Sequence, residues 1–204
     1  MLNHNYQFRA RMLGVSLIEL MVALVAGLIV SGAALALIVA IIKSNADNIR
    51  ATRLTQELRT TAEVIARDLR RARGIQDPVA NIGVGSAAML KACNAITPVS
   101  GVTASCVTFA YDCVSATSGT FRAIALAGGK VRTATSSTAL PACPTASTGT
   151  QLSSDALTIT AFDVSALNDA YTIRLSGRFT NDSSSAPLVR YISQEVRIRS
   201  AAVN

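Results

Sequence analysis

The sequence contains a single histidine, His4, among 204 residues. Imidazole is the side chain that most readily gains and loses a proton near neutral pH, so its near absence argues against histidine-dependent catalysis and against most transition-metal sites. No phosphate-binding glycine loop, dinucleotide fingerprint or HExxH motif occurs either. The sequence therefore predicts a protein that is not an enzyme and that needs no cofactor and no metal.

Charge and proline are both scarce in the first part of the chain. Between Val15 and Ile42 the one charged residue is Glu19, and the first proline is Pro78. The 23 residues from Leu20 to Ile42 carry no charge and exceed the roughly 20 needed for a helix to cross a bilayer core. A secretory signal peptide is the alternative, but its apolar core is shorter. The pattern predicts a membrane-spanning helix over residues 15–42.

The orientation of this helix follows from its flanks and from the cysteines. Arg9 and Arg11 precede the apolar run, which predicts a cytoplasmic N-terminal side and an outward-facing remainder. The later region has few metal-ligating partners for cysteine and no CxxC pair, so two disulfides in an oxidising compartment such as the bacterial periplasm are expected. Three connectivities remain open for Cys93, Cys106, Cys113 and Cys143.

Glu19 requires a partner if it enters the membrane. A charged side chain costs about 2.5 to 3.5 kcal/mol at the bilayer centre on insertion scales, and less near an end. Cleavage after Gly14 would create an amino group on Val15, four residues before Glu19 and on the same helix face. This amine can pair with the carboxylate within the chain or in a neighbouring copy.

Residues 14–21 read GVSLIELM and, with a basic leader before them and a long apolar helix after them, resemble the processing motif of type IV prepilins. In that family a membrane peptidase cuts after the glycine and methylates the new N-terminal residue, and the glutamate mediates subunit docking. The resemblance implies these roles for Gly14, Val15 and Glu19. It also implies prepilin peptidase, other pilin or pseudopilin subunits and inner-membrane lipid as partners. Two features depart from the family: Val15 replaces the commoner phenylalanine, and the helix lacks the proline that is usual in major pilins.

After Lys43 the sequence becomes amphipathic. Spacings of 4, 4, 3, 4 and 3 residues predict one apolar helix face, formed by Leu54, Leu58, Ala62, Ile65, Leu69 and Ala72. We expect a stalk helix over residues 43–73 that continues the anchor and ends at Gly74. The arginines near its end favour a solvated helix face over a DNA-binding patch, because no aromatic residue interleaves with them for base stacking. These arginines are Arg67, Arg70, Arg71 and Arg73.

The remainder, residues 74–204, is predicted to form a β-rich head, which makes the fold α+β with an antiparallel sheet packed on the stalk. Alternation of apolar and polar residues predicts a hairpin from 171–179 and 188–199, with further strands at 106–113, 121–127 and 157–163. The small, polar tract Thr133–Thr150 is expected to be a surface loop.

The predicted organisation is therefore a leader (1–14), an assembly helix (15–42), a stalk (43–73) and a disulfide-bearing head (74–204). It is similar to the PilW-like minor pilins and to the J-type pseudopilins of type II secretion, which are thought to initiate or cap filaments. The expected location is the inner membrane as a single-pass protein with a periplasmic head, and afterwards a filament. The alternatives are a tip-located adhesin or DNA-uptake receptor, and an unrelated periplasmic protein that is not processed. Whether the filament belongs to a pilus, a secretion system or a competence system stays open.

Overall fold

The structure is a computed structural model. It describes residues 14–74, 96–115, 118–168, 170–182 and 186–198. The leader before Gly14, with His4, Arg9 and Arg11, and the predicted disulfide residue Cys93 lie outside the described residues. The chain divides into two compact units between Asn48 and Ile49.

The described residues form one helix, α1 (Leu17–Arg70), and eight strands. The strands are β1 (Thr103–Ala104), β2 (Cys106–Ser115), β3 (Ser118–Ala127), β4 (Lys130–Ser136), β5 (Thr150–Gln151), β6 (Leu157–Leu167), β7 (Ala170–Phe179) and β8 (Arg190–Arg197).

The first unit consists, in its described part, of the apolar portion of α1 and the three residues before it. All of its described side chains are exposed. The helix α1 is long enough and apolar enough to cross a membrane. A continuous apolar surface of this extent is typical of a segment that is covered by lipid or by other subunits.

The second unit begins with the amphipathic portion of α1. The six apolar residues predicted to share one face are all buried, with at most 2% of their surface exposed, so the predicted stripe is confirmed. Thr61 and Ala66 are buried beside it. The Thr61 hydroxyl donates a hydrogen bond to the Glu57 carbonyl at 3.0 Å, which satisfies the only polar side-chain group in the stripe.

The described strands form two four-stranded sheets, in the orders β1-β6-β7-β8 and β2-β3-β4-β5, and neighbouring strands pair antiparallel in both. The α+β class and the antiparallel head are therefore as predicted, with two sheets in place of one. The predicted hairpin is confirmed, since β7 pairs with β8 in a register that sets Tyr171 opposite Val196.

One hydrophobic core joins the stripe of α1 to both sheets. The helix comes near the sheet at Gly177 in β7, where an added Cβ would lie 3.1 Å from Cδ2 of Leu58. A glycine at this position allows the helix to sit directly on the sheet. The largest fully buried sheet residues of the core are Phe109, Phe162, Ile124, Leu157, Ile173 and Leu175.

The end of α1 differs from the prediction. The helix ends at Arg70, and it is Arg73, with φ of 64°, that adopts the left-handed conformation instead of Gly74. The N–H of Arg73 donates to the carbonyl of Ala110 at 2.8 Å, and the N–H of Cys113 donates to the carbonyl of Gly74 at 3.2 Å. Backbone bonds to β2 therefore fix the exit of the chain from the helix, which sequence alone does not reveal.

The expectation of a loop over Thr133–Thr150 was wrong at both ends. Residues up to Ser136 belong to β4, and Thr150 begins β5. In β4, Val131 and Thr133 are buried and alternate with less buried residues. Threonine is common both in strands and in polar loops, so the sequence did not reveal that Thr133 is a buried strand residue.

A disulfide and the hydrogen bonds of one lysine connect the second sheet to neighbouring segments. Cys106 at the start of β2 is bonded to Cys143 in the segment between β4 and β5, and Cys113 is also disulfide-bonded. The ammonium of Lys130 donates to three backbone carbonyls beside the start of β6, those of Ser154, Asp155 and Leu157.

Leu58→Ala should lower the free energy of unfolding by about 2 to 5 kcal/mol, because it leaves a cavity at the centre of the helix–sheet contact. The measurement is urea unfolding of the full chain in detergent micelles, followed by circular dichroism. Ile49→Ala is the matched control, since Ile49 is 55% exposed on the same helix and should change stability by about 0.5 kcal/mol or less. Equal losses in the two variants would contradict the packing.

Removal of the Cys106–Cys143 bridge, which closes 37 residues, should cost roughly 4 kcal/mol in the chain-entropy model. We expect Cys106→Ser, Cys143→Ser and the double variant to lose the same amount, because each removes the same link. Non-reducing peptide mapping and the same unfolding assay test this. A double variant much less stable than both singles would show that the two cysteines act separately.

Candidate processing site and helix end

The predicted cleavage site lies just outside α1. Gly14, Val15 and Ser16 are not helical, and α1 begins at Leu17. The N–H of Leu20 donates a hydrogen bond to the carbonyl of Ser16 at 3.1 Å, which makes Ser16 the N-cap residue. The Gly14–Val15 peptide bond thus lies in a non-helical, exposed segment, and segments of this kind are preferred sites of proteolytic cleavage in general.

Nothing in the described part of the chain requires glycine at position 14. A Cβ added there would meet no atom within 4 Å, and Gly14 does not have the positive φ that favours glycine. The described structure would therefore accept a larger residue at position 14. A need for glycine there would come from another protein that recognises this segment.

Glu19 lies in the first turn of α1, three residues after the N-cap. At this position the positive end of the helix dipole stabilises a carboxylate. No basic side chain among the described residues lies within ion-pair distance of Glu19. The spacing Ser16-x-x-Glu19 is that of a capping box, a signal that could have placed the helix start from the sequence.

The apolar surface that follows contains two glycines, Gly27 and Gly32, that also face open space. In the interior of a helix each glycine lowers helix stability by about 1 kcal/mol relative to alanine. No neighbour in the described residues compensates for this. Small residues of this kind allow close approach of another helix in lipid or in an assembly.

The arginine-rich end of α1 is held by the second sheet. The guanidinium of Arg71 lies 4.3 Å from the ring centroid of Tyr111 and pairs with Asp112 at 2.5 Å. Asp68, one turn earlier, pairs with Arg122 of β3, whose guanidinium lies 5.8 Å from the same ring. Arg71, one of the four arginines weighed as a DNA patch, is therefore engaged within the head. The pairing of Asp68 with Arg122 was missed, since 54 residues separate them.

A helix that is apolar in its first part and amphipathic in its second, with the second part packed on an antiparallel head, is the arrangement that the resemblance to prepilins predicted. Residues 47–198 match the family described as prepilin peptidase-dependent protein B. The match covers about three quarters of the chain, and the chain belongs to this family. Comparisons with curated proteins and with solved structures gave no match.

Proposed function

We propose that this protein is a minor type IV pilin or pseudopilin, processed between Gly14 and Val15, that initiates, caps or joins a filament extracted from the inner membrane. Its role is structural and involves no catalysis. The head and stalk act as a building block, and the apolar helix acts first as a membrane anchor and then as the filament contact.

The observation that carries the proposal is the agreement of two separate parts of the chain. The family match begins at residue 47, beyond both the GVSLIELM segment and the apolar helix. The match points to dependence on prepilin peptidase, and the segment at residues 14–21 independently resembles the site that such a peptidase cuts. Neither part contributes to the recognition of the other.

The proposed assembly step is electrostatic. Cleavage frees a positive amino group on Val15, two residues before the helix, while Glu19 in the first turn has no partner among the described residues. In a filament, the amine of one subunit would pair with Glu19 of a neighbour. Because the surroundings are apolar, the pair would be screened less than a surface ion pair.

The exposed apolar surface of α1 supports the same step. Its large aliphatic side chains are mostly half or more exposed, and a filament would return them to an apolar environment as the helix leaves the bilayer. The open space beside Gly27 and Gly32 gives neighbouring helices room for close contact. The absence of a helix proline in this segment and the large head favour a low-copy subunit over the repeated major pilin.

A tip-located binding module is the second candidate. The observation that favours it is a cavity on the open face of one sheet, described below. The net charge of +7 is compatible with DNA, but the engagement of Arg71 by Asp112 and Tyr111 removes part of the basic patch on which DNA binding would depend.

Intact-mass measurement should find the natural protein without residues 1–14 and with a methylated Val15. Gly14→Val should abolish this processing and leave the stability of the head unchanged, because position 14 has no neighbour in the described chain. Gly27→Val is the matched control, since Gly27 also faces open space but lies beyond the cut. Recovery of the natural protein with its leader attached, in cells that process prepilins, would refute the proposal.

Glu19→Ala should leave membrane insertion intact and reduce filament number several-fold, because it removes the carboxylate that pairs with the new amine. Membrane fractionation and counting of filaments by electron microscopy provide the two readouts. Glu57→Ala removes an exposed carboxylate farther along the same helix and should leave the count unchanged. A normal count in Glu19→Ala would show that the pairing is not needed.

A further inference from the structure

A shallow cavity lies on the face of the first sheet that is directed away from the core. Thr103, Ser165, Leu167, Thr172 and Glu195 line it. Along their strands they alternate with core residues such as Val164, Ile173 and Val196. The register sets Thr103 opposite Ser165 and Thr172 opposite Glu195, so the cavity crosses all four strands. Gly101 and Val102 form its wall beside β1.

The lining combines aliphatic surface with one acid. Leu167 is 69% exposed and Val102 is 45% exposed, and Val99 in the same loop is 60% exposed. Glu195 is the one charged residue in the lining. Its carboxylate meets Arg197 only at 3.9 Å, with both side chains largely exposed. Pairs of this kind are weak, so the carboxylate is available to another cation.

The volume of about 280 Å³ restricts the class of ligand. Cavities for drug-sized molecules and cofactors generally measure about 300 to 1,000 Å³ and enclose most of the ligand. This cavity is at the lower limit and is open on one side, so it suits one or two side chains of a peptide better than a cofactor.

We propose that this cavity binds a peptide segment of another protein in which an aliphatic side chain is adjacent to a lysine or arginine. The aliphatic group would pack on Leu167 and Val102, and the cation would pair with Glu195. The chain as a whole is basic, but repulsion between exposed charges is largely screened beyond about 8 Å at physiological ionic strength. The contact with Glu195 therefore decides which charge is accepted.

The first test uses the full chain in detergent micelles with labelled methyl groups. The probes are two peptides, N-acetyl-Leu-Lys-amide and N-acetyl-Leu-Glu-amide. We expect the lysine peptide to shift the methyl resonances of Leu167 and Val102 with a dissociation constant on the order of 1 mM, and the glutamate peptide to bind about fivefold more weakly, as expected for an exposed ion pair. Equal shifts by the two peptides, or none at these methyl groups, would overturn the proposal.

Two matched variants identify the carboxylate responsible. Glu195→Gln should weaken binding of the lysine peptide about two- to fivefold, the range for an exposed ion pair, whereas Asp163→Asn should not change it. Asp163 lies on the same sheet face but is opposite Arg174 and outside the cavity. An unchanged affinity in Glu195→Gln would overturn the assignment. These measurements use the isolated chain, so their outcome does not depend on whether filaments form.

The natural occupant is tested in cells by a photo-crosslinking residue at position 167, with position 189 as the control because Val189 is 50% exposed and lies outside the lining. We expect position 167 to capture a peptide of another protein that contains lysine or arginine beside an aliphatic residue, and Glu195→Gln to reduce the yield. Capture of lipid alone, or of a second copy of this chain alone, would overturn the proposal.

Discussion

The contact between the apolar stripe of α1 and the two sheets is the interaction on which the head depends. Each sheet is half polar, so the buried faces require a third apolar surface, and Leu54, Leu58 and Leu69 provide it without exposing any of their own area. The earlier apolar residues of the same helix are exposed, because no other described residue covers them. One element therefore needs two environments, a protein core for its second part and a lipid or subunit environment for its first.

The two environments impose different requirements on the sequence. In the head, large side chains meet small ones at close range, as Leu58 does at Gly177, and charged groups such as Asp68 and Arg122 pair across the contact. In the apolar part, glycines face empty space and a first-turn acid has no partner in the described chain. The features that look unfavourable in the isolated chain, Glu19, Gly27 and Gly32, are those for which an assembly would supply the missing partner.

Local patterns predicted those parts of the structure whose contacts are periodic along the chain. The stripe from Leu54 to Ala72 and the β7–β8 hairpin were predicted because spacing alone reveals a buried face. The short strands β1 and β5, two residues each, carry no periodic signal, and the pairing of Cys106 with Cys143 was one of several equal alternatives. At the candidate site, a motif indicated Gly14, Val15 and Glu19, whereas no motif indicated the cavity, because its lining comes from four segments of the chain between residues 101 and 195.

The segment between β4 and β5 has a practical consequence for imaging the assembly. Its residues from Thr145 to Gly149 are exposed, and the bond from Cys143 to Cys106 fixes the preceding residues to the start of β2. Exposed, small and polar positions of this kind tolerate inserted sequence well. A short epitope placed beside Ser147 would project from the head while the core stayed intact, so that an antibody could report where along a fibre, at its end or along its length, the subunit resides.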